Sequence, residues 1–115
     1  MTILLKRVYS PPANSDGYRV LVDRLWPRGL RKDAAGIDLW LKEVAPSAEL
    51  RRWYGHEPDR WPEFRRRYFR ELKAHDEDLK ALRRRARSGR LTLLFAAKDE
   101  VNNNAAALKA YLEKG

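Results

Sequence analysis

Leu91-Thr92-Leu93-Leu94-Phe95-Ala96 is an apolar run broken only by a threonine, and no other segment restricts the fold of this chain as much. A continuous run of that length reads as a central strand of a parallel sheet, apolar on both faces because both are covered. Tyr18-Arg19-Val20-Leu21-Val22 has the same character and stops at Asp23. Thr2 to Val8 clusters Ile, Leu and Val as a buried or edge strand, and Ile37, Leu39 and Leu41 alternate within a fourth candidate strand, 37–44. The turn formers Ser10 to Gly17 between the first two make a surface loop.

Helical signals fill the long gap before the central strand. Ser47 reads as the N-cap of a brief helix carrying Leu50, Trp53 and Tyr54, ended by Gly55. Asp59 is expected to cap the next helix, with Pro62 in its first turn and Trp61, Phe64, Tyr68 and Leu72 as its buried stripe. His75 to Asp78 marks a break, Asp76 recaps the continuation through Leu79, Leu82 and Ala86, and Ser88-Gly89 stops it. Asn102 to Asn104 open a last helix with Ala105, Leu108, Tyr111 and Leu112 facing inward. Strand, helical excursion, strand and helix is the rhythm of parallel pairing with right-handed crossovers. The expectation is one α/β domain over 1–115, a three-layer sandwich with a small, mainly parallel sheet of about four strands flanked by helices.

The chain has no cysteine, which excludes a disulfide framework and a thiolate nucleophile, and only His56 and His75 offer imidazole, so no metal site is assigned. Met1 to Tyr9 has neither the length of a membrane span nor a cleavage site for a signal peptide, so a cytoplasmic protein with no membrane association is expected. The net charge of +9 points to anionic partners.

In open parallel sheets, ligands bind outside the carboxyl ends of the strands. Two such ends carry unusual residues. Asp23-Arg24-Leu25-Trp26-Pro27-Arg28-Gly29 combines a carboxylate, two guanidiniums and an indole: Arg24 and Arg28 suit an anion, Trp26 a stacking wall, and Asp23 a base or orienting group. The competing reading is structural, with Asp23 paired to Arg24 or Arg28 and Trp26 in the core. Lys98 and Asp99, with Asn103 and Asn104, follow the central strand, and join the same crevice if the two strands are neighbours. His56, after Gly55, is an acid or base candidate, whereas Ser47 lacks the glycines of a nucleophile elbow.

Segment 59–87 holds eleven Lys/Arg and six Asp/Glu, enough for a basic ridge. Its aromatics lie on the buried stripe, which favours a solvated face laced by pairs such as Glu63-Arg67, Arg67-Glu71 and Glu77-Lys80.

Arg7-Val8-Tyr9, Asp16 to Gly29, Asp38-Leu39-Trp40, Ala45-Pro46-Ser47, Leu50-Arg51 with Trp53, His56, Trp61, and Ala96-Ala97-Lys98-Asp99 with Asn103-Asn104-Ala105 occur in this order along nearly the whole chain. In these motifs the chain resembles the small bacterial YeaO-like proteins of the domain-of-unknown-function 488 class. The resemblance implies site positions at Asp23, Arg24, Trp26, Arg28, His56, Lys98, Asp99, Asn103 and Asn104. Longer members of that class carry a cysteine motif that this chain lacks, so thiol chemistry does not transfer.

The reading that follows is a small enzyme or ligand-binding domain with catalytic candidates Asp23, Asp99 and His56, and ligand contacts at Arg24, Trp26, Arg28, Lys98, Asn103 and Asn104. Its favoured partner is an anionic small molecule, a nucleotide or phosphorylated metabolite, and no cofactor is assigned. The alternative is a non-catalytic module that binds nucleic acid or an acidic partner through Arg65 to Arg87.

Overall fold

Four parallel strands form the sheet: β1 (Thr2–Arg7), β2 (Tyr18–Leu21), β3 (Leu39–Trp40) and β4 (Arg90–Phe95), in the order β1-β4-β2-β3. The computed structural model describes residues 1–114. The central position of β4 follows from its composition, since Leu91 to Phe95 are all buried and only an inner strand hides both faces. The α/β architecture with a small parallel sheet is the one read from the sequence.

Alternation along the strands sends side chains into two cores. Ile3, Val20, Val22, Leu91, Leu93 and Phe95 meet the helices α1 (Ala48–Tyr54), α2 (Trp61–Leu72), α3 (Asp76–Ser88) and α4 (Asn104–Lys114). On the other face Val8, Leu21 and Leu94 are covered by Trp26, Leu30, Ile37, Trp40 and Ala96. The third layer, expected to be helical, is therefore built by the excursion that follows β2. Its edges are polar: buried Asp16 accepts from Lys6 and Arg19, and Arg19 also donates to the carbonyls of Ala35 and Gly36. Gly17, at φ +67°, lets the chain pass so close to β4 that a Cβ would stand 2.3 Å from the Arg90 carbonyl oxygen.

The segment 37–44 is corrected from a full strand to the two residues of β3. Leu41 still donates its N–H to Leu21 O, but Lys42–Val44 then tightens into a 3₁₀ turn. Ile37 packs with the loop core and Leu41 with the helical core, so the alternating residues do not share a face.

Ser47 caps α1 as expected, its Oγ accepting from Leu50 N at 3.1 Å, and Gly55 closes the helix in the left-handed region. The Ser47 N–H and hydroxyl both donate to Glu71, at 2.8 and 2.6 Å, which ties α1 to α2 and takes Glu71 out of the expected pair with Arg67. Asp59 does not cap α2; it lies in the 3₁₀ turn Pro58–Arg60, and α2 begins on Trp61-Pro62. Asp76 is the first residue of α3 rather than its cap, because the 3₁₀ turn Lys73–His75 leads directly into the helix. Among the described residues, no helix is long and apolar enough to cross a membrane.

Candidate functional site

Parallel adjacency of β2 and β4 brings the loops after both strands to one end of the sheet, where α1 closes the third side. The crevice between them has a volume of about 820 Å³. Its loop wall is Asp23 to Arg28; its helix wall includes Ala48, Arg51, Arg52 and Tyr54, with His56 just beyond the helix end; and Ala96, Ala97 and Asn102 to Asn104 line it from the β4 side. A smaller cleft of about 310 Å³ lies elsewhere, between 8–12 and 29–35.

Asp23 stands where the strands end. Its carboxylate accepts from Ala96 N at 2.9 Å and Asn104 Nδ2 at 3.1 Å, while its carbonyl accepts from Trp40 Nε1 at 2.8 Å. Neither Arg24 nor Arg28 pairs with it. Burial raises its pKa above the ordinary carboxylate value, a shift only partly offset by the Ala96 and Asn104 donors and the charge of Arg51.

The cations divide into committed and free. Arg24 lines the crevice but donates to Pro46 O and Ala45 O, both at 3.2 Å, holding the entry to α1. Among the described residues, the guanidiniums of Arg28, Arg51 and Arg52 make no hydrogen bond or ion pair, and all three are exposed lining groups. Trp26 is half-buried: its Nε1 donates to Leu30 O at 2.8 Å and its ring packs edge-on against Trp40, so it is both wall and core. Asp23 is the sole carboxylate in the lining, set against four arginines and His56.

The half expected from the β4 loop is smaller than the sequence suggested. Lys98 and Asp99 are exposed and do not line the crevice. The Asp99 carboxylate accepts from the N–H groups of Asn102 and Val101, which hold its pKa below the usual value, so it organises its own loop. Asn103 caps α4 through Oδ1 to Ala106 N and donates its amide to Asp99 O. Asn104 spends its amide N–H groups on Val22 O and Asp23. Both line the crevice as fixed parts of its frame. His56 lines it too, from a left-handed backbone at φ +58°, a conformation costly for a residue with a Cβ.

Arg51 and Arg52 were not singled out from the sequence as site residues. The available signal was the good Ser47 cap: once α1 is placed, Ala48, Arg51 and Arg52 fall at spacings of three and four on one helix face.

A family model described as "Inactive DUF488-N3 subclade" matches residues 2–115. The chain belongs to this subclade. The DUF488-N3 chain is 46% identical over 112 residues to the uncharacterized protein YeaO of Escherichia coli (strain K12), with 97% of each chain covered. It is 43% identical over 111 residues to the uncharacterized protein Rv3073c of Mycobacterium tuberculosis (strain ATCC 25618 / H37Rv), covering 96% of this chain and 92% of the relative. No solved structure matches it significantly. The YeaO-like resemblance read from the motifs thus holds along the DUF488-N3 chain, and the crevice is built largely from those motifs.

Proposed function

We propose that this DUF488-N3 protein is a binding domain for an anionic small molecule held in the crevice at the carboxyl ends of β2 and β4, without turnover. The observation that carries the reading is the set of free guanidiniums, Arg28 from one wall and Arg51 and Arg52 from the other, facing a space with a single, hydrogen-bonded carboxylate. Arginine forks suit phosphate and carboxylate groups, and a ligand entering here trades water for charge-assisted hydrogen bonds. Binding is favoured over catalysis because the two acids expected to act as bases are engaged in holding backbone and side-chain N–H groups. The description of the subclade as inactive supports the same choice.

The alternative ridge on Arg65 to Arg87 has much of its charge engaged within the chain. Arg66 and Arg67 pair with Glu63, Arg83 donates to the carbonyls of Leu112 and Tyr111 at the end of α4, and Arg85 lies 3.9 Å over the Tyr18 ring. These contacts leave less for a polyanion to neutralise.

Thermal unfolding with and without inorganic phosphate and pyrophosphate tests the proposal. Ligand at a hundred times its Kd adds about 2.7 kcal/mol, a rise of roughly 10 °C or more for a domain of this size. The rise is expected to disappear in folded Arg28→Ala and Arg51→Ala proteins. Its absence in the wild type, or its persistence in both variants, overturns the crevice as an anion site. Salt-sensitive binding to DNA or RNA that is lost on reversing Arg84 and Arg87, but not Arg51, would assign function to the ridge instead.

A further inference from the structure

Leu25 is the most telling residue of the crevice that charge does not explain. It is 63% exposed, yet it lines the space between Arg24 and Trp26 at the end of a buried strand. Val101, 74% exposed, stands on the loop after β4, next to the lining Asn102. A site for a bare oxyanion gains nothing from a large side chain kept in water at its mouth. A ligand that covers Leu25 gains the free energy of removing that apolar surface from solvent.

The size of the crevice points the same way. About 820 Å³ lies within the range of roughly 300–1,000 Å³ typical of sites for drug-sized organic ligands, far more than one phosphate fills. Leu25, Trp26 and Pro27 adjoin on the loop wall between Arg24 and Arg28, and Arg51 and Arg52 line the space from α1. Rings and guanidiniums also stack readily in this protein, as Arg67 does over Trp53 at 4.2 Å, so Arg28 and Arg52 offer planar faces as well as charge.

We propose that the ligand is a phosphate monoester carrying an aromatic group, as in a nucleoside monophosphate, with its ring covering Leu25 beside Trp26 and its phosphate held from α1 by Arg51 and Arg52. This inference rests on the anion-binding reading and specifies the second half of the ligand.

Titration calorimetry with inorganic phosphate, phenyl phosphate, AMP and adenosine, on the wild type and on Leu25→Ser and Arg51→Ala, separates the two claims. At least one of the aromatic phosphates is expected to bind ten times more tightly than inorganic phosphate. Leu25→Ser, a change at an exposed position, is expected to remove most of that advantage while leaving phosphate affinity unchanged, and Arg51→Ala to weaken both. If both aromatic esters bind no better than phosphate, or Leu25→Ser leaves their advantage intact, the aromatic half is overturned while the anion site stands. If adenosine matches AMP, the phosphate contact is overturned. If none of the four binds, both readings fall.

Discussion

Asp23 joins three segments through one residue: the start of the loop after β2 on which it sits, the start of the β4 loop through Ala96, and the first residue of α4 through Asn104. Each of its carboxylate oxygens receives a donor, so an amide in its place leaves one donor facing an NH₂ group. Asp23→Asn is therefore expected to cost about 1 kcal/mol at pH 7, the low end of the usual penalty for stranding a partly buried donor, because the amide also removes a charge that burial disfavours. A shift of the urea midpoint at pH 7 measures it; an unchanged midpoint would show that the network is slack. His56 carries a second local cost, its left-handed backbone, on a residue that faces the crevice. At Asp99 the same carboxylate chemistry that suits a base also suits a turn: the adjacent Val101 and Asn102 N–H groups donate to it, and it lies outside the lining of the crevice.

Among the elements, α1 is short, and its orientation decides where Arg51 and Arg52 point. Seven residues do not make a stable helix alone, so α1 depends on its cap and on α2. Ser47 provides both links, accepting from Leu50 and donating twice to Glu71. Ser47→Ala is expected to cost about 1–2 kcal/mol by removing the cap and one of the two bonds to Glu71. Equilibrium unfolding gives the value, and hydrogen exchange should place the loss of protection first in 48–54. The strands show where local pattern is sufficient. β4 and β2 announce themselves because burial on both faces leaves no polar residue to confuse the period, apart from Arg19 and Thr92, which have buried partners. At 37–44 the alternation is equally clear in the sequence, but its residues serve two different cores, and pairing ends after Trp40.

Over the whole molecule, Asp16 and Asp23 contribute to pH-dependent stability through pKa shifts of opposite direction. Burial tends to raise the pKa of Asp16, but the Ala13 N–H with Lys6 and Arg19 more than offsets it, so its folded pKa lies below the ordinary 3.8. Asp16 thus stabilises the fold above pH 3.8, and that contribution fades as pH falls through its lowered folded value. Asp23, raised by burial, acts the other way: its contribution is greatest below the ordinary value and is lost as pH rises through the folded one. Titration of the two carboxyl carbons by NMR is expected to place Asp16 below and Asp23 above 3.8; the reverse order would refute the assignment. The sequence by itself determined the class of fold, the central strand, the caps Ser47 and Gly55 and the buried stripe of α2, because these depend on neighbours within a few residues. It also located the loop after β2 as half of a crevice. Only the tertiary structure decided which polar groups remain free. Lys98 and Asp99 fall outside the lining, Arg24, Asn103 and Asn104 are spent on the frame, and Arg51 and Arg52 enter from α1. That division depends on long-range partners such as Pro46 O and Val22 O, whose positions are fixed only once the strands and helices have packed.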